Sequence, residues 1–99
     1  MVKPVLYSAR ARNDILEIWI WLAEKRGTGL GDQILDRIEK RVSALSSFPE
    51  MGPRRTDIDA AARMLVVERW LVLYRLDDDA VRIIRVLDGS SDLRRVDLG

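Results

Sequence analysis

Cysteine and histidine are both absent from the 99 residues of this chain. Their absence excludes disulfide bonds, thiolate nucleophiles and imidazole general bases, and it removes the two commonest zinc ligands together. The sequence also lacks an excess of either charge, since 17 basic and 16 acidic residues leave a formal net charge of +1. A domain that grips nucleic acid usually carries a basic excess on one face or tail. The composition therefore leaves few routes to catalysis and argues against direct nucleic-acid binding.

Long hydrophobic runs are missing as well. The longest apolar run is far shorter than the roughly 20 residues that a membrane helix needs, and no secretory signal opens the chain, so we expect a cytoplasmic protein without a membrane segment. The length predicts a single domain over residues 1–99. A domain of this size hides only about two-thirds of its unfolded surface, so a bound partner would add substantially to its stability.

Hydrophobic periodicity predicts an α+β domain with the order β-α-α-β-β-β. A short strand at Val5–Tyr7 precedes Ser8, whose side chain can cap the first helix. That helix runs to about Gly27, and a second helix carries an apolar stripe from Leu30 to Leu45, so the two should form an antiparallel hairpin. A loop follows over residues 49–62, and the remaining strands are predicted at residues 64–67, 70–76 and 81–87. Because the connections between these strands are short, we expect them to pair antiparallel. The helical hairpin is then expected to pack on one face of this small antiparallel sheet.

One tryptophan of the first helix stands outside the predicted apolar sector. Counting 100 degrees per residue places Trp21 beside Asp14 and Glu17 on the polar side. Tryptophan outside its own core is enriched at binding hot spots, so Trp21 is predicted to lie in an interface. The apolar sector itself comprises Ile15, Leu16, Ile18, Trp19, Leu22 and Ala23.

The predicted strands are apolar on both faces of the sheet. Alternation sets Met64 and Val66 against Leu65 and Val67, and it sets the face of Trp70, Val72 and Tyr74 against the face of Leu71 and Leu73. Two helices cover only one face, and a large uncovered apolar surface usually marks a binding site. We therefore expect a partner chain to cover part of the sheet. Strand twist combined with cover from a loop is the alternative.

Three charged features have more than one interpretation. Arg54 and Arg55 suit a phosphate, an acidic partner segment or simple solvation, which is the commonest case. The acids at residues 77–79 lack further ligands at cage spacing, so we interpret them as turn residues and predict no metal site. Arg85 lies in an otherwise apolar strand, where it either snorkels at the sheet edge or contacts a target.

Several segments together match one known family. Ser8, Ala11, Asp14, Ile15, Ile18 and Trp19 look like the start of its first helix, and Leu45, Pro49 and Gly52 look like its helix end and turn. Arg63, Trp70, Tyr74 and Arg75 follow its central hairpin, and Ile84, Arg85, Val86 and Leu87 follow its last strand. On these residues, in this order, the chain resembles the ParE branch of the RelE/ParE toxin superfamily over nearly its whole length.

The resemblance implies a toxin that needs no cofactor, inhibits DNA gyrase by binding it and has no catalytic residues. It further implies a hetero-oligomer with a ParD-like antitoxin, a ribbon-helix-helix dimer whose disordered tail folds onto the toxin. Nucleic acid would then be reached only through the antitoxin. The residues assigned to antitoxin binding are Trp21, Arg54, Arg55, Met64, Val66, Trp70, Val72 and Tyr74. The residues assigned to target binding are Arg85, Leu87, Asp88, Arg94 and Arg95.

Two other functions fit parts of the sequence. RelE-like relatives cut messenger RNA on the ribosome, which needs a proton acceptor, a proton donor and cations for the phosphate. Here Asp88 is an acid where relatives commonly carry histidine, no tyrosine follows it, and carboxylates near a scissile phosphate would repel it. A non-toxic protein-interaction domain would explain the apolar features equally well. An adjacent gene for a short protein with a ribbon-helix-helix start and an acidic tail would favour the toxin.

Overall fold

The predicted element order is confirmed. The computed structural model describes residues 2–93 and 95–98. Its elements are β1 (Val5–Tyr7), α1 (Ala9–Arg26), α2 (Thr28–Ser43), a 3-10 turn (Ala44–Ser46), β2 (Ala62–Val67), β3 (Trp70–Leu76) and β4 (Val81–Asp88). In the part of the chain so described, no helix is both long and apolar enough to cross a membrane.

The sheet has the strand order β1-β4-β3-β2. The last three strands pair antiparallel, as their short connections predict. The first strand pairs parallel to β4, with Val5 opposite Val81 and Tyr7 opposite Ile83, so the sheet is mixed and not wholly antiparallel. The short-connection argument did not extend to β1, because two helices separate it from the other strands. As a result β4 is an inner strand, so one of the two interpretations of Arg85, that it snorkels at a sheet edge, is wrong.

Local hydrogen bonds explain where the helices begin and end. The backbone N–H of Ala11 donates to Ser8 Oγ at 3.0 Å, so Ser8 is the expected N-cap of α1. The same hydroxyl donates to the Ile84 carbonyl at 2.8 Å, which fastens the start of α1 to β4. Gly27 ends α1 at a φ of 92°, a conformation that side chains disfavour, and α2 begins at the next residue.

The hydrophobic core lies between the helical hairpin and one face of the sheet. Its buried members are Ala11, Ile18, Leu22, Ile34, Ile38, Val42, Leu45, Leu65, Val67, Trp70, Val72, Tyr74, Val81, Ile83 and Val86. The two helices pack on each other; on the sheet, α1 contacts mainly β4 and α2 contacts β2. The two helices therefore cover a single sheet face, as expected.

Hairpin register corrects one predicted grouping of residues. Val67 pairs with Trp70, and Leu65 pairs with Val72, across the turn between β2 and β3. Because cross-strand partners project to the same face, Trp70, Val72 and Tyr74 share the core face with Leu65 and Val67 and lie opposite Met64 and Val66. Their exposed fractions are only 4%, 0% and 0%. Val72 and Tyr74 are core residues that offer no surface to an antitoxin, and Trp70 is a core residue with only a small exposed edge.

The second sheet face is partly covered by the chain's own loop. The N–H of Met64 donates to the Pro53 carbonyl at 3.0 Å, so the loop runs along the edge of β2. Arg55 Nη1 reaches Met64 Sδ at 3.4 Å. Leu73 on this face is buried, whereas Val66 remains 49% exposed. Loop cover, the alternative considered from the sequence, therefore accounts for part of this face and leaves Val66 open.

Candidate protein-binding site

A groove lies between α1 and the adjacent ends of β3 and β4. Its cavity volume is about 360 Å³. The lining residues are Asp14, Glu17, Ile18, Trp21, Trp70, Arg85, Val86, Leu87 and Asp88. The groove thus brings together Trp21, which was assigned to antitoxin binding, and Leu87 and Asp88, which were assigned to target binding. Members of both predicted sets therefore line one site.

Arg69 organises the open side of this groove. Its guanidinium carbon lies 5.4 Å from the centroid of the Trp21 ring and 5.1 Å from that of Trp70. Both distances are within the range of cation–π attraction. Arg69 also forms an ion pair with Asp88. Trp21 is 43% exposed, so its ring is held in place and still faces solvent. We call Trp21, Arg69 and Trp70 the tryptophan–arginine cluster; the sequence prediction missed Arg69 because it treated that residue only as part of a turn.

A buried ion pair forms the inner wall of the groove. Arg85 Nε donates to Asp14 Oδ2 at 2.7 Å, and Arg85 Nη2 donates to Asp14 Oδ1 at 2.9 Å. The N–H of Val86 donates to the same carboxylate at 3.0 Å. Only 12% of the Arg85 side chain and 8% of the Asp14 side chain are exposed. Hydrogen bonding to Asp14 raises the pKa of Arg85 above its ordinary value, because it favours the charged form.

This ion pair corrects two predictions from the sequence. Asp14 was placed on the polar side of α1, whereas it belongs to the buried face together with Ala11, Ile18 and Leu22. Arg85 was assigned to target binding, but its third nitrogen, Nη1, donates to the backbone carbonyl of residue 97 at 2.6 Å. All of its nitrogens therefore have partners inside the protein, and Arg85 is better described as a structural residue.

The end of β4 holds Asp88 as an anion. The N–H and the hydroxyl of Ser90 each donate to Asp88 Oδ1 at 2.9 Å. The backbone hydrogen bond is the main cause that lowers the pKa of Asp88 below its ordinary 3.8, and the Ser90 hydroxyl and Arg69 lower it further. Next to it, the Gly89 N–H donates to the Arg69 carbonyl at 2.7 Å, an approach so close that a Cβ would lie 2.9 Å from that oxygen. Glycine at residue 89 therefore allows the turn after β4 to approach the Arg69 backbone closely.

Replacing Arg69 by glutamine is expected to raise the pKa of Asp88 towards 3.8, because the variant loses the cation and keeps the Ser90 backbone hydrogen bond. A folded-state pKa below the unfolded value contributes stability that is present above the unfolded pKa and is lost as the pH falls through the folded one. Carbon-detected NMR titration of both proteins measures the change. The control is Arg41→Gln, an exposed site on α2. An unchanged Asp88 titration in the Arg69 variant would show that the pair makes no contribution.

Comparison with known proteins decides the family. The family described as the ParE toxin of the type II toxin-antitoxin system, parDE, matches residues 5–93. The chain belongs to the ParE toxin family. It is 34% identical to the toxin ParE3 of Caulobacter vibrioides over 89 residues, which cover 90% of this chain and 89% of that protein. It is 27% identical to the toxin ParE1 of the same organism over 93 residues, which cover 94% and 96% of the two chains.

Solved structures confirm the fold expected for a ParE toxin. The chromosomal ParDE toxin-antitoxin system from P. aeruginosa matches with a TM-score of 0.79 at 17% identity, covering 88% of this chain and 96% of that chain. The toxin-antitoxin complex RelBE2 from Mycobacterium tuberculosis matches with a TM-score of 0.64 at 21% identity, covering 89% and 99%. At these identities the likeness concerns the fold alone, which spans both the ParE and the RelE branches.

The remaining predicted residues of this ParE toxin lie away from the groove. Arg54 is exposed, and Arg55 forms an ion pair with Asp57 at 2.9 Å. Arg55 and Asp57 line a shallow cavity of about 370 Å³ together with residues 91–93, so the segment after β4 passes beside this loop. Arg95 is exposed and lies 3.5 Å from Asp92. Arg94, also assigned to target binding, lies outside the described residues.

Tyr74 anchors the loop between the helices and the sheet. The N–H of Gly52 donates to the Tyr74 hydroxyl at 2.8 Å, and that hydroxyl donates to the Pro49 carbonyl at 2.9 Å. Arg63 Nη1 donates to the Gly52 carbonyl at 2.8 Å. A Cβ on residue 52 would lie 2.7 Å from the tyrosine oxygen, so the contact requires glycine. The family pattern at these positions therefore reflects a structural contact and not a binding surface.

Replacing Tyr74 by phenylalanine is expected to lower the free energy of unfolding by about 1–3 kcal/mol, because the buried Gly52 N–H loses its acceptor. Urea unfolding followed by circular dichroism measures this loss. The control is Tyr7→Phe, which removes a hydroxyl from a half-buried tyrosine on β1. Equal losses in both variants would mean that the anchor to the loop contributes nothing specific.

The acids at residues 77–79 form the turn between β3 and β4, as expected. Asp77 Oδ1 accepts hydrogen bonds from the N–H groups of Asp79 and Ala80, both at 2.8 Å. The other oxygen pairs with Arg82. The hydrogen bond from Arg82, followed by those two backbone hydrogen bonds, lowers the pKa of Asp77 to about 2. This carboxylate therefore closes the turn and neutralises a neighbouring cation.

Sequence periodicity misplaced part of the α1 surface. Leu16 was assigned to the apolar sector facing the core, yet it is 54% exposed, and Ile20 is 42% exposed. The buried face of α1 runs through Ala11, Ile18 and Leu22, so the row of Leu16 and Ile20 points away from the sheet. The sequence did contain a signal for this exposure, because the two aliphatic residues are four apart and lie beside the polar residues Asn13, Glu17 and Glu24.

Proposed function

We propose that this ParE toxin acts by binding DNA gyrase, without catalysing a reaction, and that a ParD-like antitoxin neutralises it. The observation that carries the proposal is the groove in which the exposed Trp21 ring is fixed by Arg69 and adjoins Leu87. A rigid aromatic ring beside an apolar side chain and a cation is typical of a protein-binding hot spot. Membership of the ParE family suggests protein partners of this class, and the groove is a surface to which such a partner could bind.

The antitoxin proposal fits the exposed side chains of two regions. Trp21 offers an aromatic anchor in the groove, and Val66 with the half-buried Met64 offers an apolar strip on the second sheet face. The exposed cation Arg54 lies on the loop at the edge of β2 and suits an acidic tail. A disordered segment that folds on binding can reach separated regions of this kind. The proposed antitoxin surface therefore comprises Trp21, Arg54, Arg55, Met64 and Val66.

The target proposal rests on the end of β4. Leu87 and Asp88 line the groove, and the exposed Arg95 follows in the segment after it. Asp88 is an anion at neutral pH, as an ordinary aspartate is, and the lowered pKa extends the ionised form to more acidic pH. A fixed anion at this position would repel a scissile phosphate, which favours a protein target over cleavage of RNA. Leu87, Asp88 and Arg95 are the described residues proposed to contact gyrase.

The decisive experiment compares two activities of the same purified toxin. We expect it to inhibit gyrase supercoiling or to accumulate cleavage complexes, and to leave messenger RNA intact on translating ribosomes. Leu87→Asp should reduce gyrase inhibition by about tenfold or more, since it places a charge on the apolar side of the groove. The control is Val66→Asp, an exposed apolar site on the other sheet face. Cut messenger RNA with unaffected gyrase would refute the proposal and identify a ribonuclease.

The antitoxin needs a separate test. A ParD-like antitoxin should be encoded beside the toxin gene as a short protein with a ribbon-helix-helix start and an acidic, amphipathic tail. Coexpression followed by size-exclusion chromatography should recover both chains in one complex, and adding the antitoxin should restore gyrase activity. A toxin that inhibits gyrase and ignores the adjacent gene product would contradict the antitoxin half of the proposal only.

A further inference from the structure

The outer face of α1 carries an exposed apolar pair that does not belong to the core. Leu16 is 54% exposed and Ile20 is 42% exposed, although the buried face of the same helix runs along its other side. Residues four apart lie one above the other on a helix and form a ridge. Large aliphatic side chains on a solvent-facing ridge lose the benefit of burial unless another surface covers them.

Two opposite charges extend this ridge at equal distances. Arg12 lies four residues before Leu16, and Glu24 lies four residues after Ile20. Both side chains are exposed, and neither forms an ion pair with another residue within 2–93 or 95–98. In the sequence, position 18 is the midpoint of these four residues, although the Ile18 side chain itself is buried on the other side of the helix, so the cation and the anion are related by reversal about that position. We call Arg12, Leu16, Ile20 and Glu24 the α1 ridge.

We propose that the α1 ridge is a self-association surface, occupied by the α1 ridge of a second copy of this chain in antiparallel orientation. Packing of such ridges from two helices gives a crossing angle of about −50°, which sets the two rows parallel to each other. A twofold axis through the midpoint then places Leu16 of one copy beside Ile20 of the other. It also brings each Arg12 to the Glu24 of the opposite copy, over a helix length of about 18 Å.

The symmetry of the charges selects a second copy as the occupant. In a twofold interface each contact occurs twice, so residues must be self-complementary about the axis. Arg12 and Glu24 meet that requirement, and Leu16 and Ile20 do as well. A partner of different sequence would give no reason for the charges to be reciprocal about Ile18. The groove lined by Trp21 lies on the side of α1 that faces β4, so the ridge is a separate surface.

A single helix crossing sets the strength of this association. One pair of crossed helices buries less than the roughly 1,000 Å² that a stable dimer usually needs. The dimer should therefore form at micromolar or higher concentration and should weaken with salt, since exposed charge pairs are screened. Self-association would concentrate the toxin locally and present two grooves on one particle, whatever the identity of the target.

Charge reversal in the full-length toxin tests the proposal. Sedimentation equilibrium should show a concentration-dependent dimer whose dissociation constant rises by about tenfold in Leu16→Asp. Arg12→Glu and Glu24→Arg should each weaken the dimer, and the double variant Arg12→Glu with Glu24→Arg should restore it, because the reversed pair has the same complementarity. Lys25→Glu reverses an exposed charge outside the ridge and serves as the control. Circular dichroism and thermal unfolding check that each variant is folded.

The outcomes divide cleanly. Rescue by the double reversal supports the antiparallel pair, because a merely structural or solubility effect would not be recovered. A toxin that stays monomeric at every concentration overturns the proposal. So does a dimer that the Leu16 and charge variants leave unchanged, since its contacts would then lie elsewhere. If Leu16→Asp instead abolishes antitoxin binding and leaves the self-association constant unaltered, the ridge belongs to the antitoxin and the proposal fails.

Discussion

Replacing Asp14 by alanine is expected to lower the free energy of unfolding by about 3–5 kcal/mol, which would remove a large part of the stability of a domain of this size. The variant leaves the buried Arg85 guanidinium without its carboxylate and the Val86 N–H without its acceptor. Burying an unpaired charge costs far more than the pair contributes in isolation. Denaturant titration of the purified toxin, monitored by tryptophan fluorescence, measures the loss.

A double variant separates the pair from the packing around it. Asp14→Leu combined with Arg85→Met removes both charges and keeps similar volumes, so we expect it to recover the part of the loss that the unpaired charge causes, whereas the Val86 N–H stays without its acceptor. Because the isolated toxin is small, the single variant should also lower the yield of soluble protein. If Asp14→Ala unfolds at the same denaturant concentration as the parent, the buried pair is not what joins α1 to β4.

Replacing Trp21 by alanine is expected to weaken antitoxin binding by about 30-fold or more, the effect of a hot-spot tryptophan, and to cost less than about 1 kcal/mol of folding stability. The ring is 43% exposed and contacts Arg69, so the folded toxin loses little core packing. A partner loses its main aromatic anchor in the groove. Isothermal titration calorimetry with the antitoxin measures the affinity, and urea unfolding measures the stability.

Ile20→Ala is the matched control for this experiment. Ile20 is 42% exposed on the same helix, but it lies on the outer ridge and not in the groove. Its truncation should leave antitoxin affinity nearly unchanged. Equal losses for both variants would indicate a general effect on α1. An unchanged affinity in Trp21→Ala, together with normal folding, would remove Trp21 from the interface.

Local sequence signals predicted most of the fold. The cap at Ser8, the glycine at residue 27 and the short strand connections set the order of the elements, and each acts between neighbours in sequence. The direction of β1 was not predictable in this way, because its partner Val81 lies far along the chain. The face of the sheet on which Trp70 lies depends on the register across the hairpin turn. Alternation within a single strand does not determine that register.

The candidate site was predicted only in part, for a related reason. Trp21 stood out because a single helix sufficed to show that it did not belong to the apolar sector. Asp14 is buried and has two distant partners, Arg85 and the Val86 N–H, so its burial follows from contacts between residues 71 and 72 positions apart. Arg69 gained its role from two tryptophans on different elements. Pairings of this kind arise from tertiary structure. The family resemblance included Asp14, Trp70 and Arg85 without indicating their contacts, and it did not include Arg69.

Because β1 pairs with β4, the first strand cannot join the sheet until the last strand has been synthesised. Residues 5–7 obtain their strand neighbour only after residues 81–83 have been synthesised. During translation the sheet therefore lacks one border until the last strand emerges, and contacts of such long sequence separation tend to slow folding. A nascent toxin would therefore complete this sheet only after β4 has been synthesised. That delay would give an antitoxin already present in the cell an opportunity to capture the new chain before it reaches a target.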